Sequence, residues 1–215
     1  AASRPHPAQD LGGELLFKTR LGFSGTPSDL LPLELGRCHY AAGDDAKMLH
    51  ILSSVENVTY LPLPLDWSVR SLLDEIGSAR PPYNALIDTG ALVTGMTNLQ
   101  VAETLLRTGL AEFDAVVFLD ALDRKMALLR AGLKVVELAE CGVALERRFS
   151  FFDQVHTTGM DIEQLLNAHA VLTLGKDMTF RDYAQGAFRL RQIGQGQRLT
   201  LFIIPEVTQL IGSHM

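Results

Sequence analysis

Between residues 83 and 205 the sequence alternates short apolar runs with amphipathic segments, and this alternation limits the possible folds more than any other feature. Apolar side chains fill almost every position of several runs, which is typical of strands buried on both faces of a sheet. Strands are predicted at residues 84–89, 115–120, 134–139, 148–153, 170–175 and 199–205, and helices at 98–108, 123–131, 161–168 and 179–192. This order predicts an α/β fold, an open and mostly parallel sheet flanked by helices.

The first 82 residues lack such a regular alternation. The segments expected there are a flexible lead-in (1–13), a strand (15–24), a turn (25–29), a helix (44–56), an extended stretch (58–65), a helix (69–76) and a linker (77–82). The predicted organisation is a lead-in, the tail of a first lobe and a linker over 1–82, one complete lobe over 83–205, and a tail over 206–215. The final Gly-Ser-His-Met resembles an expression-vector remnant, so we expect a piece of a longer protein.

The composition argues against an autonomous nucleic-acid binder. Lys plus Arg total 19 and Asp plus Glu total 25, a formal net charge of -6, whereas duplex-DNA binders usually carry a basic excess that neutralises phosphates. Cys38 and Cys141 form neither a disulfide framework nor a metal-ligand spacing, which predicts a reducing intracellular compartment, cytoplasmic or nuclear. No apolar run approaches the ~20 residues that span a bilayer, and the histidines form no H-E-x-x-H spacing, so neither a membrane partner nor a metal site is predicted.

Two familiar nucleotide-binding motifs are missing from the sequence. It contains no G-x-x-x-x-G-K-[ST] loop to cradle phosphates and no G-x-G-x-x-G dinucleotide fingerprint. We therefore expect that this chain does not hold ATP phosphates and Mg²⁺ by itself.

The most distinctive stretch, residues 152–197, combines a polar loop with a polar helix. The loop reads D-Q-V-H-T-T-G-M-D over residues 153–161. The helix predicted at 179–192 places apolar side chains on one face and Arg181, Gln185, Arg189 and Gln192 along another. A solvated face of an amphipathic helix would explain that row without any further function.

In this order the elements resemble the second RecA-like lobe of superfamily-2 helicases. The residues that carry the resemblance are T-T-G-M-D at 157–161, the Q-x-x-x-R-x-R sequence of residues 185–191 with its following glycine-rich turn, and the strands and helix between them. Upstream, G-F-S-G-T-P at 22–27 resembles the motif that ends the first lobe of that family. The resemblance covers residues 15–29 weakly and residues 83–205 more fully.

The resemblance implies roles for the polar loop. In that family the corresponding loop contacts the nucleic-acid backbone and couples it to the nucleotide, a role that falls here on His156, Thr157 and Thr158. Gly159 and Asp161 would take part in nucleotide binding, although an N-cap role for Asp161 is an equally good structural explanation.

The resemblance also implies a catalytic role for the polar helix. Arg189 corresponds to the arginine finger, Arg191 is the second candidate, and Gln185 would hold the neighbouring phosphate or water network. A positioned arginine can accelerate phosphoryl transfer ~10³-fold or more. The implied cofactors are ATP and Mg²⁺, bound only together with the first RecA-like lobe of the same parent chain. RNA, DNA or a protein is the implied substrate, and the strand predicted at 15–24 would offer a free edge for a second copy.

The same stretch is similar to a poorly characterised family of very large fungal and protist proteins, sometimes catalogued as ubiquitin hydrolases. These proteins carry D-Q-x-H-T-x-G-x-D, then T-L-G, then Q-x-x-x-R-x-R-x-x-G-x-G-Q. The present chain has these residues at 153–161, 173–175 and 185–197.

Two other functions stay open at this point. Phe188 and Gln192 stand where the helicase pattern has a glycine and a second arginine, which favours a non-catalytic binding or scaffold module. Cys141 with His156 and either Asp153 or Asp161 would make a ubiquitin-directed thiol hydrolase. A lone cysteine after a buried strand is, however, more often a small core residue.

Overall fold

The computed structural model describes residues 43–157 and 160–213. The predicted lead-in, the strand at 15–24 and the turn at 25–29 lie outside these residues, as do Thr158 and Gly159. The chain divides into two units, residues 1–54 and 55–215. The described part of the first unit contains one helix, α1 (Asp44–Ser53), within the predicted helix at 44–56.

The second unit is built on a single eight-stranded sheet. Its strands are β1 (Val58–Pro62), β2 (Ala85–Ile87), β3 (Ala115–Leu119), β4 (Lys125–Leu129), β5 (Lys134–Glu137), β6 (Arg148–Phe152), β7 (His169–Leu174) and β8 (Arg198–Ile203). Its described helices are α2 (Val69–Ser78), α3 (Asn98–Thr108), α4 (Phe180–Ala187) and α5 (Pro205–Ser213). The strand order is β1-β8-β7-β2-β6-β3-β4-β5. The strands from β1 to β3 in this order are parallel, and β4 is antiparallel to both of its neighbours. The predicted α/β fold with an open, mostly parallel sheet is confirmed.

Helices cover both faces of this sheet. Helices α2, α3 and α4 each begin at a capping box, formed by Ser68, Thr97 and Thr179 with the residue three positions later. The buried faces of α2 and α3 share one core with strand side chains such as Val171. Leu172 points to the opposite face, where its side chain meets Gly186 of α4. Helices α3 and α4 therefore lie on opposite faces of the sheet.

Strand β1 and helix α2 belong to this unit although they precede residue 83. β1 pairs in parallel with β8 from Val58↔Leu199 to Pro62↔Ile203. Residues 77 and 78 of the predicted linker form the last part of α2. The unit is therefore larger than the lobe predicted at 83–205, and its final helix α5 covers most of the predicted tail.

The predicted helix at 123–131 is wrong, because this segment forms β4. Asp120 closes a tight turn by accepting hydrogen bonds from the backbone amides of Leu122 and Arg124, each at 2.9 Å. Asp123 has a φ of 58°, a left-handed conformation that ends any helix there. Pairing of β4 with β3 along all five residues outweighs the helix propensity of K-M-A-L-L.

The helix predicted at 161–168 is also wrong, since these residues form irregular chain with a turn at 166–167. Ile162 is buried, and the Gln164 amide donates to the Ser150 hydroxyl at 2.8 Å. Gln197 donates to the carbonyl of Leu165 at 2.6 Å. The bond to the Leu165 carbonyl satisfies a backbone group that a helix would satisfy internally, and the other two contacts anchor the segment to the rest of the unit.

The helix predicted at 179–192 is shorter in the structure and ends at Ala187. The chain then turns, so that Phe188 and Leu190 are both buried. The amide of Arg189 donates to the carbonyl of Gly186 at 3.0 Å, a spacing of three residues that tightens the end of the helix. Arg189 and Arg191 consequently lie in a turn and not on a helix face.

Candidate functional site

At the carboxyl ends of β2 and β7 the connections of the sheet change direction. β2 continues through α3 toward β3 on one side, and β7 continues through α4 to β8 on the other side. Ligands of open α/β sheets bind in the crevice outside such a switch point. A ligand site is therefore expected at the loops after β2 and β7.

Two glycines allow these loops to touch through their main chains. A Cβ atom on Gly90 would lie 2.5 Å from the amide nitrogen of Gly175, and one on Gly175 would lie 2.6 Å from the carbonyl oxygen of Gly90. Thr173 joins the same loops, since its hydroxyl donates to Asp88 Oδ1 at 2.6 Å and accepts from the Gly90 amide at 3.0 Å. The floor of the crevice is thus held by a backbone contact and one bridging hydroxyl.

Asp88 organises the loop after β2 from below. Its carboxylate is buried and accepts hydrogen bonds from the amides of Leu92 and Val93, each at 2.9 Å. Burial raises the pKa of Asp88, and the hydrogen bonds from Thr173 and the two amides oppose that rise. With these three donors engaged, Asp88 shapes the loop and is not available to a ligand.

A polar cleft of about 440 Å³ lies above this floor. Thr157 and Gln185, two of the predicted site residues, both line it. Thr89, Gln154 and Lys176 line it as well, and none of the three is among the predicted site residues. The remaining lining residues are Gly90, Ala91, Gly175, Asp177, Met178 and Asp182.

Several polar groups of the cleft are uncommitted. The Thr89 hydroxyl is buried and has no hydrogen-bond partner among the described residues. Gly186 makes room for it, because a Cβ there would come within 2.1 Å of the hydroxyl oxygen. Lys176 is exposed, and its ammonium makes no hydrogen bond or ion pair within the described part of the chain. An uncommitted cation at a polar cleft suits a ligand with negative charge.

Some backbone amides around the cleft are engaged within the protein. The Gly175 amide donates to Met178 Sδ at 3.1 Å, and Thr179 with Asp182 closes the capping box of α4. Hydrogen bonds from Thr179 lower the pKa of Asp182. The side chain of Lys176 supplies the uncommitted positive charge of the cleft.

Arg189 and Arg191 do not line the cleft but lie beside Met160 and Asp161. The Arg189 guanidinium is buried and donates to the carbonyl oxygens of Met160 and Gln185. Burial, with the neighbouring charge of Arg191, lowers the pKa of Arg189 to about 10, so it stays charged at neutral pH. Arg191 is 41% exposed, and its Nε lies 3.4 Å from Asp161 Oδ2. The predicted arginines and Asp161 thus form a cluster that ties residues 160–161 to the end of α4.

A short turn after β6 carries the predicted coupling residues. Val155–Thr157 form one turn of 3-10 helix, and the Thr157 hydroxyl donates to the Gln154 carbonyl at 2.8 Å. Thr157 lines the cleft, whereas His156 lines a neighbouring cavity of about 480 Å³. The structure therefore places adjacent predicted residues in two different cavities.

His156 is held by two carboxylates. Its Nδ1 is hydrogen-bonded to Asp153, and its Nε2 lies 2.8 Å from Asp123 Oδ1. Both ring nitrogens are thereby engaged, so the imidazole has none left to activate the Cys141 thiol. Cys141 itself is buried. This arrangement gives no support to a thiol hydrolase built on these two residues.

Thr89 and Lys176 carry only a weak signal in the sequence. Each lies within two residues of the end of a buried strand, in D-T-G at 88–90 and in G-K-D at 175–177. The loops after Asp88 and Gly175 follow from the strand prediction, because ligands bind at the carboxyl ends of parallel strands. That these two loops adjoin each other follows only from the observed strand order.

Within residues 43–157 and 160–213, no group of three or more His, Cys, Asp and Glu side chains is arranged to hold a metal ion. No helix in the same part of the chain combines the length and apolarity needed to cross a bilayer. Comparisons of the chain with models of known protein families, with curated proteins and with solved structures find no match.

Proposed function

We propose that the chain is the second RecA-like lobe of a superfamily-2-type NTPase, and that its β2/β7 cleft forms one wall of the nucleotide site. The observation that carries the proposal is the polar cleft at the switch point of the sheet. There Thr157 and Gln185 lie around the same space as Lys176. Residues selected from the sequence pattern and a position selected from the topology coincide in this cleft.

The lining residues suit the phosphate-bearing part of a nucleotide. Lys176 supplies a positive charge, and the side-chain amide of Gln154 supplies hydrogen bonds to phosphate or ribose oxygens. Asp177 is the exposed carboxylate of the cleft. Mg²⁺ in phosphate sites typically takes one or two carboxylates and completes its shell with phosphate oxygens and water. The ion would therefore arrive with the nucleotide and with ligands from the first lobe.

In this proposal the two arginines act when the first lobe closes on the cleft. Arg191 needs only to leave Asp161, an exposed contact of 3.4 Å. Arg189 must give up the carbonyls of Met160 and Gln185, so its use as an arginine finger requires residues 160–161 to move. Cations placed in advance around the transferred phosphoryl group are what accelerates phosphoryl transfer. The lobe alone would bind nucleotide weakly and would not turn it over.

The proposed partners are the first lobe of the same parent chain and a nucleic acid or protein substrate. The turn at 153–157 supports coupling between them, because one side of it lines the cleft through Gln154 and Thr157. A substrate that contacts this turn would change the shape of the cleft wall.

The test is nucleotide binding to the full chain. We expect a fluorescent ATP analogue to bind, and Lys176→Ala to weaken its affinity roughly tenfold or more, since hydrogen bonds to charged groups contribute ~1.5–3 kcal/mol. Gln185→Ala tests the second predicted contact. Lys134→Ala is the matched control: this exposed lysine begins β5, at the far edge of the sheet.

Three outcomes bear on the proposal. Equal affinities of the Lys176 and Lys134 variants would contradict the assignment of the cleft. No binding at any nucleotide concentration would favour the scaffold alternative. In the natural protein with its upstream sequence, unchanged ATPase activity of both Arg189→Lys and Arg191→Ala would remove these arginines from the mechanism.

A further inference from the structure

His156 bridges two loops that are distant in sequence. Asp153 belongs to the turn after β6, and Asp123 belongs to the tight turn between β3 and β4. The imidazole is 10% exposed, whereas the Asp123 side chain is 74% exposed. The bridge thus has a half-buried side with Asp153 and a solvent-facing side with Asp123.

A carboxylate only accepts hydrogen bonds, so an imidazole between two carboxylates needs a proton on each ring nitrogen. Burial lowers the pKa of His156, but the hydrogen bonds to Asp123 and Asp153 and their charges raise it by more, and the pKa lies above the ordinary histidine value. Asp120 and Arg124 are the other charged side chains that line the same cavity, and they pair with each other at 2.7 Å. The described lining residues from α3, Thr97, Asn98 and Leu99, are uncharged.

The turn that carries His156 faces two cavities. A 3-10 turn has three residues per turn, so residues three apart share a side. Gln154 and Thr157 line the polar cleft, Asp153 and His156 line the neighbouring cavity, and Val155 is 73% exposed to solvent. Whatever holds one side of this turn therefore also sets the position of the other side.

We propose that Asp153, His156 and Asp123 form a proton-operated latch, which clamps the β3–β4 turn onto the 153–157 turn and thereby fixes Gln154 and Thr157 at the cleft. The part that concerns ligand affinity rests on the proposed function of the cleft. The part that concerns the order of the two turns stands on the described contacts alone.

The sign of the pH dependence follows from the chemistry of the bridge. While His156 is an imidazolium, both carboxylates are held and the latch is closed. As the pH rises through the raised pKa, one nitrogen loses its proton and meets a carboxylate with a lone pair, so the exposed Asp123 contact opens first. Linkage is reciprocal, so a ligand that prefers the closed turn must raise the pKa of His156.

The first experiment follows the His156 ring by NMR across a pH titration of the full chain, with His156→Gln used to assign the signal. We expect a midpoint above that of an ordinary histidine. In Asp123→Asn the midpoint should fall clearly, because one carboxylate partner is gone. Asp66→Asn is the control, an exposed aspartate of the same unit that shows no hydrogen bond or ion pair among the described residues. An ordinary midpoint, or one that Asp123→Asn leaves unchanged, would overturn the latch.

The second experiment separates the latch from the function of the cleft. Hydrogen exchange, corrected for intrinsic rates, should show protection of amides 120–124 and 153–157 that falls above the His156 midpoint. In Asp123→Asn this protection should be lower and should not change across the midpoint. Constant protection across the midpoint would refute the latch whether or not nucleotide binds. If the ATP analogue binds, its affinity should drop about fivefold or more over the same pH range. A pH-independent affinity would refute the coupling while leaving the proposed function intact.

Discussion

The contact between Gly90 and Gly175 makes the sharpest prediction about the site. Gly90→Ala adds one methyl group at the point where the loops after β2 and β7 meet. The new Cβ would lie 2.5 Å from the amide nitrogen of Gly175 and 2.8 Å from the carbonyl carbon of Leu174. Both obstacles are main-chain atoms, so no side chain can rotate away to relieve the overlap.

The expected loss of stability follows from the main-chain atoms of Leu174 and Gly175 that must move. Forcing an extra carbon into a well-packed region costs ~1–3 kcal/mol, and separation of the loops also weakens the hydrogen bond from the Gly90 amide to Thr173, for about 1 kcal/mol more. We therefore expect a loss of ~2–4 kcal/mol. For a protein of this length, where 1 kcal/mol shifts Tm by about 2–4 °C, the melting temperature should fall by roughly 4–16 °C.

Urea denaturation and thermal melting of the full chain give the measurement. Gly142→Ala is the matched control, since a Cβ there meets no atom within 4 Å and the residue has no positive φ. That variant should be neutral or slightly more stable, because alanine restricts the unfolded chain. The reasoning is refuted if Gly90→Ala stays within ~0.5 kcal/mol of the wild type, or if Gly142→Ala is equally damaging.

Two further predictions concern arginines. Arg130 donates to four carbonyl oxygens at the end of α3 and in the loop after it, at 2.7–3.0 Å. Arg130→Ala should therefore lower the free energy of unfolding by ~2–5 kcal/mol, measured by urea denaturation. Arg130→Lys should recover little of this loss, because one ammonium cannot reach all four oxygens. Arg189→Ala should lower the free energy of unfolding by ~1–3 kcal/mol, because it leaves the Met160 carbonyl without its buried donor. Arg191→Ala should change the free energy of unfolding by no more than ~0.5 kcal/mol. Equal losses in the same assay would contradict the distinction between a buried and an exposed arginine.

The strands of the central sheet could be predicted because each carries its own signal. Between residues 84 and 205 all six predicted strands are observed, with ends within two residues of those expected. β3 shows why: all five of its side chains, Ala115–Leu119, are buried, so burial on both faces leaves a continuous apolar run. The helices with capping boxes at Ser68 and Thr97 also follow from local sequence.

The errors arise where contacts to other elements outweigh local preference. Residues 125–129 have good helix propensity, yet they form a strand because the turn at Asp120 brings them alongside β3, with which they pair. Residues 161–168 resemble a helix start, yet Gln164 finds its partner in Ser150 of β6. Ser150 is not a sequence neighbour of residues 161–168, and the pairing with β3 is not visible in residues 125–129 themselves. A local sequence pattern therefore cannot predict either contact.

The site was predictable only in part, for a related reason. Its loops could be anticipated, because ligands of parallel sheets bind at the carboxyl ends of strands. Which two of those loops adjoin depends on the strand order, and the order β7-β2-β6 brings the ends of strands 85 residues apart against each other. That strand pairing alone brings Thr89 and Lys176 to line the same cleft.

The turn at 153–157 shows how a short sequence can line two cavities at once. A strand would alternate its side chains between two faces, and a helix would spread them over about 100° steps, but a 3-10 turn groups them by threes. Asp153 and His156 therefore share one cavity, and Gln154 and Thr157 share the other. Because the main chain of this turn is common to both groups, the proposed latch on one side and a ligand on the other would act on the same few dihedral angles.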